Sequence, residues 1–296
     1  MKVKETKRHI IQAVAAFLTN ANLPGFFKGE IWQGGTKRVC VPGLNCYSCP
    51  GAMGACPIGS LQSVLSGHKQ GFSYYVVGLL IFFGVLLGRL ICGFLCPFGF
   101  IQDLLYKIKS KKVKVPREVD RPLRLLKYVI LGVFVILLPL TVAGAYGVGV
   151  PWFCKLLCPA GTLEGGIPLL IKNESLRAAV GFLFSWKMLV LTAVLVGSVF
   201  LYRPFCKYLC PLGALYGLFN KIGFYQMKVD PEKCVHCGAC EKACNMEVKV
   251  TENINSTECI RCNRCKKVCP YGAISSGFVF GKELSPKPEN RPAGES

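Results

Sequence analysis

Apolar residues in this chain fall into long uninterrupted blocks instead of alternating with polar ones. Residues 71–88 (GFSYYVVGLLIFFGVLLG) run eighteen positions without a charge, and 128–153 (YVILGVFVILLPLTVAGAYGVGVPWF) run twenty-six. A third block, 188–202, follows Trp186 and Lys187. Each approaches or exceeds the ~17–25 residues that cross a bilayer as a helix. Helices buried in a large soluble core are the alternative source of such blocks. The first stretch, HIIQAVAAFLTNANLPGFF, is weaker, interrupted by Gln12, Asn20, Asn22 and Pro24. A signal peptide competes for it, but no small-residue cleavage site stands out, so an uncleaved first helix is expected.

The net charge of +20 would suit a nucleic-acid binder, but its distribution argues otherwise. Between two apolar blocks, 102–127 carries nine basic and three acidic residues, whereas 151–177 carries three and two. A Lys/Arg excess in the short loops of one side marks that side as cytoplasmic. The expected topology puts the N-terminus, 92–127 and everything after 203 inside, with 28–70 and 151–177 outside. No nucleic-acid partner is expected.

Eighteen cysteines change the picture most. Cys234, Cys237, Cys240 and Cys244 follow the spacing C-x2-C-x2-C-x3-C, and Cys259, Cys262, Cys265 and Cys269 repeat it. Thiolates so spaced hold cubane iron–sulfur clusters, the fourth cysteine of each run serving the other cluster. The expected sets are Cys234, Cys237, Cys240 and Cys269 for one [4Fe-4S] cluster, and Cys259, Cys262, Cys265 and Cys244 for the second. Residues 226–280 resemble bacterial two-cluster ferredoxins, departing where Asn245 replaces the usual proline.

The other ten cysteines lie in repeats. RLICGFLCPFGFIQDLLYKI (89–108) and RPFCKYLCPLGALYGLFNKI (203–222) agree at nine of twenty positions at an offset of 114. Further copies are FCKLLCPAGTL at 153–163 and CPIGSLQ at 56–62, giving a shared C-P-x-G at Cys56, Cys96, Cys158 and Cys210. Proline suits the first turn of a helix and glycine permits close backbone approach. Cys92, Cys96, Cys206 and Cys210 form a complete inner set. Outside, six thiols compete for four places: the expected set is Cys46, Cys49, Cys56 and Cys158, with Cys154 the substitute and Cys40 undecided. Disulfides are the outer alternative.

With these motifs the chain resembles the NapH/NosR-type membrane iron–sulfur proteins over most of 10–275. The resemblance implies a membrane α-helical fold of about four transmembrane helices plus a small α+β two-cluster ferredoxin domain. The expected organisation is 1–70, an N-terminal helix and outer cysteine-rich loop; 71–224, a transmembrane core; 225–281, the ferredoxin domain; and 282–296, a disordered tail. The implied cofactors are two to four [4Fe-4S] clusters in a multi-pass protein of the cytoplasmic membrane. The implied role is an electron-transfer subunit working between a cytoplasmic partner and a quinone or extracytoplasmic redox protein. A redox-sensing accessory protein and a copper-handling reductase with Cu(I) on outer thiols are the other readings.

Little else carries chemistry. His9, His68 and His236 are the only histidines, and none lies in the three main blocks, which argues against transmembrane haem. His236, between two ligands, reads as a solvated loop residue or a tuner of its cluster. Arg89 and Arg203 share a repeat position and would either offset cluster charge or snorkel as interfacial anchors. The aromatic face of 72–83 would face lipid or a quinone. No nucleotide loop, dinucleotide fingerprint or nucleophile–His–acid set is present.

Overall fold

The computed structural model describes residues 5–67, 73–142 and 149–279. His68 and the tail 282–296, for which disorder is expected, lie outside the described residues.

The architecture is mostly helical, and among the described residues two helices are long and apolar enough to cross a membrane. One runs from Arg117 to Thr141, starting eleven residues before the apolar block does. Its first half is amphipathic: Glu118 and Asp120 occupy the first turn, complementing the helix dipole, while Asp120, Lys127 and Ile130 turn inward. The block therefore does not map onto one helix; its remainder beyond Thr141 leads to a separate short helix at Trp152–Leu156. The other long helix is Phe182–Phe200, in which Phe182, Leu189 and Val196 are largely exposed. Only 17 % of its most apolar window is buried, the reverse of a soluble core helix. Shorter helices are Thr6–Thr19 and Tyr74–Leu87, the latter exposing Tyr74 and Phe82. Inside, the N-terminal helix is tied to the core by Arg8 to Asp103 at 2.9 Å and Gln12 to Asp103 at 3.2 Å.

The C-terminal unit is closed by two antiparallel strands, Tyr225–Val229 and Ile274–Phe278, in register from Tyr225 opposite Phe278 to Val229 opposite Ile274. Met227 and Ile274 bury the inner face. Its two halves repeat at an interval of twenty-five residues. His236 and Arg261 both adopt left-handed backbone (φ 52° and 53°), as do Gly238 and Asn263 (φ 70° and 60°). Each pair leads into a short helix, Ala239–Ala243 or Arg264–Val268.

This unit is bolted to the helical core. Arg261, fully buried, donates to Leu87 O at 2.8 Å and to Asn220 O at 2.7 Å. Asn220 in turn donates to Ser256 O and Cys259 O, both at 2.8 Å. Gly88 makes the close approach feasible: its φ is +53°, and a Cβ there would lie 2.6 Å from Asn220 Oδ1. Glu258 pairs with Arg89 at 3.2 Å and with Lys127 at 2.5 Å.

Candidate functional site

The C-P-x-G unit is a helix start with a thiol as its cap. Cys56, Cys96 and Cys210 each take extended backbone (ψ 127°, 116° and 112°) as the N-cap of a helix whose first residue is the proline. The glycine N–H then points back to the sulfur: Gly99 N–H to Cys96 Sγ, Gly213 N–H to Cys210 Sγ and Gly161 N–H to Cys158 Sγ, all at 3.4 Å. Orphan amides at a helix start favour negative charge. The motif thus builds a niche for thiolate.

Cys92, Cys96, Cys206 and Cys210 are all buried, and each lies within electrostatic range of others of the four. The two repeats lock this inner group reciprocally. Arg89, three before Cys92, donates to Cys206 O at 3.0 Å; Arg203, three before Cys206, donates to Cys92 O at 2.5 Å. The glycines leave room for this exchange. A Cβ at Gly99 would sit 3.3 Å from Arg203 Nη1, and one at Gly213 would sit 3.3 Å from Arg89 Nη2. Neither arginine snorkels, because both are fully buried. Arg203 is held by Asp103 through two bonds of 2.7 and 2.6 Å. Burial pushes the Asp103 carboxyl up, but Arg203 and then Arg8 outweigh it and hold the group at about 2.

Of the outer thiols, Cys158 has Cys154, Cys46 and Cys56 as its electrostatic neighbours. The ideal Cβ of Gly161 would lie 3.7 Å from Cys46 Sγ, and that of Gly59 would lie 3.8 Å from Cys154 Sγ. Cys49 has Cys46 within range, but its Sγ lies 3.5 Å from Asn20 Oδ1. Cys40 faces Ser60 Oγ at 3.4 Å. Glu164, half-buried beside this group, accepts the Cys46 N–H at 2.8 Å, and removal of its carboxyl from water raises that group to about 7. No two of the eighteen cysteines form a disulfide.

In the C-terminal unit the eight cysteines line two cavities. Cys244, Cys259, Cys262 and Cys265 line one cavity, walled by Met227, Val250 and Ile260. Cys234, Cys237, Cys240 and Cys269 line another. His236, on the rim of the second, is exposed. Among the described residues no three Cys, His, Asp or Glu side chains converge on a single ion. A cubane needs no such convergence, since each iron takes one thiolate. Buried sulfurs faced by N–H donors, with guanidiniums beside the inner four, fit an anionic thiolate-bound cluster.

The four groups follow one another through the molecule. Gly93, next to Cys92, abuts Ile260, between Cys259 and Cys262: a Cβ on Gly93 would lie 2.4 Å from Ile260 O. Inner and outer groups meet at the loop before Cys46: a Cβ on Gly43 would lie 3.1 Å from Cys96 Cα, and Cys46, three residues on, lies beside Cys158 across Gly161. Tyr216, fully buried, donates to Pro42 O of the same loop at 3.0 Å. Sequence topology sets these groups at opposite helix mouths; the structure joins them through one turn of backbone. The loop carries no hydrophobic period, so nothing in its residues signals that it enters the core.

A 4Fe-4S binding domain model matches residues 71–116, 131–172 and 182–229, and two further 4Fe-4S binding domain models match 225–246 and 252–275. MJ0750 of Methanocaldococcus jannaschii is 34 % identical over 233 residues, covering 77 % of this chain and 88 % of that one. YccM of Escherichia coli is 27 % identical over 221 residues (69 % of this chain, 56 % of YccM). The methylamine utilization ferredoxin-type protein MauN of Methylorubrum extorquens is 26 % identical over 205 residues (68 % and 63 %). This chain thus spans most of MJ0750 but less than two thirds of the other two. No solved structure matches it. The chain belongs with MJ0750, YccM and MauN to a family of iron–sulfur electron-transport proteins, and it carries several [4Fe-4S] clusters.

Proposed function

We propose that this chain is a multi-pass membrane electron relay of the NapH/NosR type with four [4Fe-4S] clusters in series. In order, the ligands are Cys234, Cys237, Cys240 and Cys269; Cys244, Cys259, Cys262 and Cys265; Cys92, Cys96, Cys206 and Cys210; and Cys46, Cys56, Cys154 and Cys158. Cys154 takes the fourth outer place because its thiol faces Cys56 and Cys158, whereas Cys49 turns to Asn20.

The observation that carries the relay is the buried loop from Gly43, which abuts Cys96 of the inner group, to Cys46, which lies with Cys158 around Gly161 in the outer group. A hydrocarbon barrier of ~30 Å is too wide for one electron step between its faces. Cluster sites joined by three residues of backbone, a reach of at most about 11 Å, remove that difficulty. Non-helical backbone is tolerated at membrane depth where protein buries it, as it buries this loop.

Exposed Cys237 makes the first cluster the contact for a soluble cytoplasmic partner. The basic 102–127 segment supports a cytoplasmic ferredoxin unit and N-terminus. A quinone is the candidate membrane partner. A cavity of about 750 Å³, lined among others by Arg8, His9, Asp103, Tyr106 and Tyr202, opens beside the second and third clusters and offers His9 as a proton-exchanging group. The outer group would serve an extracytoplasmic redox protein.

Iron and acid-labile sulfide per chain, on protein purified without oxygen, test the reading. The relay requires about sixteen of each; about eight would confine clusters to the ferredoxin unit and overturn it.

A further inference from the structure

Six residues beyond the cysteines of the four C-P-x-G units stand Gln62, Gln102, Glu164 and Tyr216. The two glutamines, on the Pro57–Ser66 and Pro97–Tyr106 helices, make the same contacts at different groups. Gln102 accepts the Phe205 N–H on Oε1 at 3.2 Å and donates from Nε2 to Cys206 Sγ at 3.1 Å. Gln62 accepts the Phe153 N–H at 3.0 Å and donates to Cys154 Sγ at 3.3 Å. Each amide nitrogen also faces the carbonyl four residues back, Phe98 O at 3.5 Å and Ile58 O at 3.2 Å. Both side chains are fully buried.

Their orientation is forced. Flipping either amide would set its NH2 against the phenylalanine N–H and leave oxygen against sulfur and carbonyl, so the hydrogen-bond network fixes the donor toward sulfur. A residue needed only to satisfy the phenylalanine N–H would require an oxygen there and nothing more. Instead a second polar atom reaches the first cysteine of the FCKYLC and FCKLLC copies alike.

A thiolate ligand gains negative charge when its cluster is reduced. A fixed N–H dipole on the sulfur therefore stabilises the reduced form more than the oxidised one. We propose that Gln102 and Gln62 are matched tuning residues, each donating an amide N–H to one ligand sulfur of the inner and outer cluster. Each holds its cluster's reduction potential above the value the four thiolates would otherwise set. This inference rests on the four-cluster reading above.

The test is an anaerobic redox titration of the full chain, followed by electron paramagnetic resonance, for wild type, Gln102→Met and Gln62→Met. Methionine keeps the length but neither donates nor accepts strongly. The expected result is unchanged iron with one midpoint shifted downward in each variant, a different signal in the two, and the ferredoxin signals unmoved. Comparison in deuterated water should also show one exchangeable-proton coupling of the inner cluster lost in Gln102→Met, while those of the Gly99 and Gly213 N–H groups remain. Should a methionine variant shed iron, Gln102→Glu or Gln62→Glu replaces it, retaining the oxygen for the phenylalanine N–H; its midpoint is again expected to fall. Unmoved midpoints with full iron overturn the proposal, as does loss of iron in both versions of a residue, which would make it structural. Wild type with about eight irons defeats the relay itself; about sixteen with unmoved midpoints defeats only the tuning role.

Discussion

Gly93→Ala tests the junction between the ferredoxin unit and the inner group. The new Cβ would fall 2.4 Å from Ile260 O, whereas ordinary contact begins at 3.4 Å. The two backbones must therefore separate by at least 3.4 − 2.4 = 1.0 Å, and a peptide carbonyl cannot swing aside as a side chain would. Overpacking of this kind costs about 1–3 kcal/mol. The displacement acts directly between Cys92 and the Cys259–Cys262 loop. The matched control is Gly78→Ala, where the added methyl meets nothing within 4 Å; in a helix it should be neutral or stabilising by up to about 1 kcal/mol. Both variants should keep wild-type iron. After rapid mixing with a reductant, freeze-quenched spectra should show the inner cluster of Gly93→Ala filling more slowly behind the ferredoxin clusters, with faster amide exchange at 259–262. Gly78→Ala should match wild type in both. Wild-type transfer kinetics and exchange in Gly93→Ala would refute the junction.

Cys154→Ser should lower iron by about four per chain, while Cys49→Ser and Cys40→Ser leave it unchanged; equal loss from Cys49→Ser would reverse the outer assignment. Glu258→Gln leaves Arg89 and Lys127 buried without their carboxylate and should loosen the ferredoxin unit by about 3–5 kcal/mol, read as protease sensitivity near 225. Asp103→Asn should free the N-terminal helix, because Arg8 and Arg203 both lose their counter-charge; crosslinking between a cysteine placed at Thr6 and one at Lys107 should then fall.

Local chemistry was legible where it is written in adjacent residues. The ferredoxin sets are expected from spacing alone; in the structure Cys244, Cys259, Cys262 and Cys265 line one cavity and Cys234, Cys237, Cys240 and Cys269 another. The Cys-Pro units read as helix starts because proline and glycine constrain backbone within four residues. Long-range pairing was not legible. Arg89 and Arg203 read equally as anchors or counter-charges, since the partners that bury them, Glu258 and Asp103, lie far along the chain. The start of the Arg117–Thr141 helix was hidden for the same reason: its polar first half is stabilised inward by Lys207 to Asp120 and Lys127 to Glu258. Hydropathy registers a charge there, not its partner. Gln62 and Gln102 had a faint signal, the shared Q closing CPIGSLQ and CPFGFIQ, which only geometry turns into a role.

The exchange of arginines across the inner group has a consequence for how such a chain arises. Arg89 reaching Cys206 and Arg203 reaching Cys92 is the pattern of an isologous dimer, in which residue i of one copy meets residue j of the other and the converse. Here both copies lie on one polypeptide. The covalent link removes the dependence on protomer concentration that an obligate dimer carries, and it frees the copies to diverge at single positions. Gln102 and its counterpart Tyr216 have done so: one faces a cysteine, the other braces the loop toward the next group. A symmetric pair would have a centre with two identical sides; fusion lets the two sides differ, and a conductor with distinct ends becomes accessible.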